Sequence, residues 1–207
     1  MPCLVDDVLK IANEEVGYLE KKDGNPSYLY DQTANAGRAN YTKYGYEMHR
    51  IYPAVMDYPA YWCDAFVDWC FYTAYGIANA KGLLGGDFND YTVASAQLYK
   101  NKSAWHQDPQ VGDQVFFQNG ERINHTGIVI AVNGSTFTTI EGNTSGGSEV
   151  IPNGGAVCMK SYSIGNSRIA GFGRPAYDKQ DFRPHWVFDA RLKRLSMCCS
   201  TSFRGII

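Results

Sequence analysis

Apolar residues recur with a helical period over the segment that begins at Cys63. The stripe has offsets of 0, 3, 4, 7, 8 and 11 residues and consists of Cys63, Phe66, Val67, Cys70, Phe71 and Ala74. This period of about 3.6 residues predicts an amphipathic helix that ends near Gly76. Pro59 biases Tyr58 towards extended backbone, so the chain should turn into the helix close to Cys63.

Two further segments show helical spacing, and five fit β-strands. The helical ones are 4–18 and 91–99, and the strand-like ones are 115–117, 125–132, 136–143, 157–162 and 169–174. Helices come first along the chain and strands follow. This order predicts an α+β fold in which an antiparallel sheet packs against the helix that begins at Cys63.

The dipeptide Asn133-Gly134 separates two of the predicted strands and indicates a β-hairpin. Because side chains alternate between the faces of a sheet, the loop length decides which of them lie together. A two-residue turn would place His125 opposite Gly142, whereas a three-residue loop would place His125 opposite Glu141. We predict the three-residue loop, formed by residues 132–134 with its glycine in the left-handed region.

This register would put His125, Glu141 and Asn143 on one face of the sheet, where they can serve a thiol. Cys63 is the candidate nucleophile, because the free N–H groups and the positive dipole end of a helix N-terminus favour thiolate over thiol. Thiol catalysis also needs a base near the sulfur and a group that orients that base. His125 suits the base, and Glu141 or Asn143 suits the orienting group. Taken singly, each residue also fits an ordinary structural role, such as a buried thiol or a core histidine.

Four local patterns occur in a distinctive order along the chain. They are GYLE at 17–20 with NYTKYG at 40–45, WCDAFVDWC at 62–70, VGDQVFF at 111–117, and HTGIV at 125–129 continued by TIEGNT at 139–144. In this combination the chain resembles the CHAP domain (cysteine, histidine-dependent amidohydrolase/peptidase), a family found in bacteriophage endolysins and bacterial cell-wall hydrolases. The resemblance spans most of residues 5–177.

The resemblance implies a papain-like α+β fold and hydrolysis of an amide bond in bacterial peptidoglycan. By motif, Cys63 corresponds to the nucleophile and His125 to the base. Glu141 and Asn143 match the third and fourth catalytic positions of the family. A thiol mechanism of this kind needs no cofactor.

The residues around Cys63 add three expectations. Tyr61 and Trp62 are candidates for binding substrate in a groove, although packing beneath the helix is the stronger expectation for Trp62. Asp64 stands where the family often has a small residue, and we expect its side chain to point to solvent at the helix N-terminus. Some family members hold calcium in an acidic loop before the nucleophile, but here that region offers only Asp57, so no metal site is expected.

Composition narrows the class of protein. With 207 residues, 44% of them hydrophobic, the chain can bury one substantial core. Six cysteines without a C-x-x-C pair argue against a zinc ribbon or a disulfide scaffold. No apolar run has the form of a secretion signal or a membrane span. We therefore expect peptidoglycan as the partner, with neither nucleic acid nor membrane insertion, and a protein that stays cytoplasmic until lysis releases it.

Charge divides the chain into two parts. Residues 179–207 hold six Lys or Arg against two Asp, so 13 basic and 19 acidic residues remain in 1–178. We predict a catalytic domain at 1–178 and a basic tail at 179–207 without an independent fold, since 29 residues are too few to bury a core. Such a tail either docks anionic wall polymers or is simply solvated.

Two other functions remain compatible with the same residues. The thiol site also suits an antibacterial effector amidase or a transpeptidase. An aromatic content of 14% also fits a module that binds the cell wall without catalysis.

Overall fold

The computed structural model describes residues 2–177 of the chain. Over this part, helices precede strands, which confirms the predicted α+β class. The helices are α1 (Val5–Glu14), α2 (Pro26–Leu29), α3 (Lys43–Ile51), α4 (Cys63–Leu84) and α5 (Thr92–Asn101). The strands are β1 (Trp105–His106), β2 (Gln114–Gln118), β3 (Ile123–Asn133), β4 (Thr136–Thr144), β5 (Ala156–Ser163) and β6 (Ile169–Gly173). The predicted basic tail at 179–207 lies outside the described residues.

The strands form one antiparallel sheet in the order β1-β6-β2-β3-β4-β5. α4 packs against the two central strands β3 and β4. The main core lies between the helices and the sheet and includes Phe66, Phe116, Ile128 and Ile140. Because strand residues alternate in direction, a second apolar cluster that includes Phe117 and Phe137 forms separately.

The predicted helix at Cys63 begins where its sequence pattern indicates, with Trp62 as the N-cap residue. Its apolar stripe is buried from Cys63 to Phe71. At the predicted stop, Gly76 has φ 74° and ψ 167°, which interrupts the helical backbone before it resumes as far as Leu84. A positive φ of this kind favours glycine, and it ends the first helical segment of α4 at Gly76, as predicted; a second helical segment follows as far as Leu84.

The predicted three-residue loop of the β3–β4 hairpin is wrong. Asn133 pairs with Thr136, so the turn has two residues and not three, with Gly134 left-handed at φ 59°. The register then shifts by one residue between Val129 and Ala131, where β3 bulges, and Ile128 lies opposite Ile140. This register places Gly127 opposite Glu141, so the predicted pairing of His125 directly opposite Glu141 is wrong. Because the shift caused by the bulge is one residue, His125 and Glu141 still lie on the same face of the sheet, and their side chains meet.

Candidate active site

The Cys63 sulfur lies at the first residue of α4, where two strands approach the helix. The side chain is 6% exposed. Burial raises the pKa of the thiol to about 12, and the neighbouring Asp64 charge adds to this, while the backbone N–H groups of Asp64 and Thr126 lower it. The expectation that the helix N-terminus would lower the pKa of Cys63 is therefore wrong, because desolvation of the thiolate outweighs the backbone N–H groups. The action of the Thr126 amide also places the sulfur next to the residue that follows His125.

His125 and Glu141 form a buried pair. His125 Nε2 lies 2.8 Å from Glu141 Oε2, and both side chains are fully buried. Thr139 Oγ1 donates a 2.6 Å hydrogen bond to the other carboxylate oxygen, and the Phe117 ring stacks on the imidazole at 5.8 Å. His125 Nδ1 has no hydrogen-bond partner within residues 2–177. Glu141 thus holds one ring nitrogen, and the other has no partner; among the described residues no hydrogen bond joins it to the Cys63 sulfur.

A glycine opposite Glu141 makes this pair possible. A Cβ atom on Gly127 would lie 2.5 Å from Glu141 Cγ and 2.9 Å from the Ile140 carbonyl oxygen. Both distances are well below van der Waals contact. The glycine of the HTGIV pattern therefore leaves the space that the Glu141 side chain occupies beside His125.

Asn143 lies at the same end of β4 but is held differently. Its backbone is left-handed, with φ 55°, and the β4–β5 register shifts between Glu141 and Thr144. Its Nδ2 donates a 3.3 Å hydrogen bond to the Pro152 carbonyl oxygen. Its buried Oδ1 has no hydrogen-bond partner among the described residues. Of the two candidates for the orienting group, Glu141 contacts His125, and Asn143 bonds to the β4–β5 loop.

The Asp64 side chain is fully buried. The expectation that it points to solvent is therefore wrong. Ser95 Oγ donates a 2.6 Å hydrogen bond to one of its oxygens, and Gln114 Nε2 donates a 3.1 Å bond to the other. A favourable interaction with the helix dipole does not decide where the Asp64 side chain points. Here the first turn of α4 faces α5 and β2, so the side chain is covered by both. Burial raises the pKa of Asp64 to about 7.

The same network reaches the strand that carries His125. Gln114 Nε2 also lies 3.0 Å from Thr126 Oγ1, which in turn donates to the Val115 carbonyl oxygen at 2.7 Å. Tyr99 donates to Gln114 Oε1 at 3.1 Å. Sequence reasoning missed these supporting residues. The available signal was a polar residue inside an otherwise apolar strand, as in the VGDQVFF and HTGIV patterns.

The two aromatic residues before Cys63 have opposite environments. Trp62 is 1% exposed, and its Nε1 donates a 3.0 Å hydrogen bond to Glu20 Oε2. Its ring stacks on Tyr44 at 5.5 Å. The assignment of Trp62 to substrate contact is therefore wrong in this structure, since the core and Glu20 occupy its surface. Tyr61, at 63% exposed, remains available for a substrate.

Within 2–177, no group of three or more His, Cys, Asp or Glu side chains is placed to hold a metal ion. In the same range, no helix has both the length and the apolar character that a membrane span requires. Among residues 2–177, Cys63, Cys70 and Cys158 are free of disulfide bonds.

Asp64→Asn is expected to make the Cys63 thiol easier to ionise above neutral pH. With a pKa of about 7, the native carboxyl is charged there and opposes the thiolate. Asparagine can accept from Gln114 and donate to Ser95, so the network is kept. Alkylation of Cys63 by iodoacetamide, followed by mass spectrometry of its peptide, should be about tenfold faster near pH 9, which corresponds to a pKa lower by about one unit.

The ratio of the two alkylation rates should approach one below neutral pH, because the native carboxyl is then protonated. Asp68→Asn removes another buried carboxyl one turn further along α4 and is the matched control, with a much smaller rise expected. An equal rise in both variants, or none in Asp64→Asn, would contradict a direct action of Asp64 on the thiol.

The CHAP domain model matches residues 54–143, a segment that contains Cys63, His125, Glu141 and Asn143. No curated protein matches the chain.

Two solved structures resemble the chain. "The crystal structure of Ly7917" has 17% identity and a TM-score of 0.45, and "The crystal structure of Ly7917 with the hydrolyzing product of MDP" has 16% and 0.40. Both matches cover 83% of this chain and 62% of the other chain.

Proposed function

Because this chain contains a CHAP domain, we propose that it hydrolyses an amide bond of bacterial peptidoglycan, with Cys63 as the nucleophile. One observation carries the catalytic assignment. His125 Nε2 lies 2.8 Å from the Glu141 carboxylate, and His125 Nδ1 has no hydrogen-bond partner among residues 2–177. A base that is oriented at one nitrogen and free at the other is what a cysteine nucleophile requires.

The first half of the proposed reaction is acyl transfer to sulfur. A thiol with a pKa of about 12 is protonated at neutral pH, so His125 Nδ1 takes its proton as the sulfur attacks the amide carbonyl carbon. The S–C bond forms, and the carbonyl electron pair moves to oxygen. Backbone N–H groups at the start of α4 stabilise this oxyanion. Glu141 stabilises the imidazolium that results.

The second half returns the enzyme to its starting state. The imidazolium protonates the leaving amine as the C–N bond breaks, which leaves a thioester on Cys63. His125, now neutral, takes a proton from water, and the water oxygen attacks the thioester carbonyl. The C–S bond breaks, a carboxylic acid is released, and the sulfur regains a proton from His125. This cycle uses no cofactor.

The finer proposal concerns the bond and the biological setting. An N-acetylmuramoyl-L-alanine amidase and a peptidoglycan endopeptidase would both use Cys63, His125 and Glu141 in these roles, since the shape of the groove decides between the two activities. We propose an endolysin-like role, in which the protein is cytoplasmic until lysis brings it to the wall.

Mass spectrometry of wall fragments tests the proposal. Purified peptidoglycan incubated with the full chain should release new amino groups, and the fragment masses identify the bond that was cut. Wall pelleting of the protein without any new amino group would contradict hydrolysis and favour a binding module. Incorporation of an added amine, in place of water, would favour a transpeptidase.

A further inference from the structure

A cavity of about 310 Å³ lies beside the candidate active site and takes no part in the mechanism above. It forms where the segment around Glu20 and Arg38 meets the loop between β4 and β5. Polar groups dominate its lining, which includes Ser145, Asn153 and the backbone of Gly155. A polar cavity of this size suits a charged group of a substrate better than an apolar one.

Two opposite charges share this cavity without pairing. Glu20 is 2% exposed and accepts a 3.0 Å hydrogen bond from Trp62 Nε1. Arg38 is exposed at the rim. Within residues 2–177, neither side chain forms an ion pair, and Arg38 makes no hydrogen bond. A buried carboxylate without a cation costs free energy, so a ligand that supplies the cation would be favoured.

Hydrogen bonds connect the cavity to both sides of the candidate active site. Through Trp62, Glu20 is linked to the residue that precedes Cys63. On the other side, the Gly154 N–H donates a 2.9 Å hydrogen bond to the Asn143 carbonyl oxygen. The walls of the cavity are therefore bonded directly to Trp62, which precedes Cys63, and to Asn143.

Glycines let the loop come close enough to form this wall. A Cβ atom on Gly154 would lie 2.1 Å from the Thr144 carbonyl carbon. Gly155 has φ 81°, and its Cβ would lie 3.3 Å from the Glu20 carboxyl carbon. Side chains at these positions would displace the loop or fill the space beside the carboxylate. The Glu20 carboxylate therefore borders main-chain atoms that carry no side chain.

We propose that this cavity is a subsite for a zwitterionic amino-acid group of a peptidoglycan stem peptide. Arg38 binds the carboxylate of the ligand, because a guanidinium matches a carboxylate with two parallel hydrogen bonds. Glu20 binds the ammonium group and keeps its bond to Trp62. The assignment rests on the proposed function, since the stem peptide is the part of peptidoglycan that carries both charges.

Binding of soluble stem peptides tests the subsite separately from catalysis. The full chain with Cys63→Ala serves as host, so that no turnover occurs, and calorimetry gives Kd for four peptides: free, amidated at the carboxyl group, acetylated at the amino group, and blocked at both. Arg38→Gln should weaken binding of the free peptide about tenfold and leave the amidated one unchanged. Glu20→Gln, which retains an acceptor for Trp62, should weaken the free peptide and not the acetylated one.

Lys10→Gln on α1 is the charge-matched control and should leave every Kd unchanged. Equal Kd values for the free peptide with and without Arg38→Gln would overturn the subsite. So would an equal loss for all four peptides, which would indicate a merely structural effect. Failure of the proposed function would show differently, as no fragment release by the wild-type protein from purified walls.

Discussion

Cys63→Ala is expected to abolish the clearing of purified cell walls while the protein stays folded. The change removes the sulfur that attacks the amide and leaves no nucleophile at the start of α4. A loss of at least about 10⁴-fold in kcat is expected, since removal of a catalytic nucleophile costs on this order or more. Turbidity of a wall suspension gives the rate, and circular dichroism confirms the fold.

Cys70→Ala is the matched control, because it removes the same atom from the same helix face. Cys70 lies two turns further along α4 and is fully buried. It should keep wild-type lysis and lose about 1 kcal/mol of unfolding free energy, the usual cost of a small cavity. Wild-type lysis by Cys63→Ala would refute the thiol mechanism, as would an equal loss of lysis in both variants.

Local patterning allowed the main parts of this site to be predicted. The spacing of apolar residues located the start of α4 at Cys63, and strand-like runs located His125 and Glu141. The family resemblance added their roles. These inferences work because helix and strand periodicities are set by nearest neighbours along the chain.

The hairpin was predicted for the wrong physical reason. His125 and Glu141 lie on the same face because β3 bulges near Ile130, and not because the loop is longer. A bulge depends on how a strand fits both of its partner strands, and no local residue pattern in β3 predicted this one. The helix α3 (Lys43–Ile51) was missed for a related reason, since its glycine and tyrosines are poor helix formers. Its signal was the N-cap residue Thr42, whose Oγ1 accepts from the Gly45 N–H at 3.1 Å.

The direction of the Asp64 side chain could not be predicted from the sequence either. Asp64 follows the nucleophile at a helix N-terminus, a position where an acidic residue usually faces water. In the fold this turn meets Ser95 and Gln114, which come from elements far along the chain. Tertiary contacts of this kind decide burial, and they also make Asp64 a charge that opposes the thiolate.

Glu141→Gln is expected to lower kcat by about 10² to 10⁴-fold with little change in KM. The native carboxylate accepts from His125 Nε2, and its second oxygen accepts from Thr139 Oγ1. Glutamine keeps the size but removes the negative charge that stabilises the imidazolium. Its amide also presents a donor on one side. If that donor faces Nε2, the ring proton moves to Nδ1, and His125 can no longer accept the thiol proton.

Glu121→Gln, at an exposed position before β3, removes the same charge away from the site and should keep wild-type kcat. Initial rates on soluble muropeptides over a range of concentrations separate kcat from KM. A raised KM with unchanged kcat would assign Glu141 to substrate binding instead. Wild-type values for both constants would mean that orientation of His125 comes from its packing against Phe117, because the ring would then keep its position and tautomer without the carboxylate.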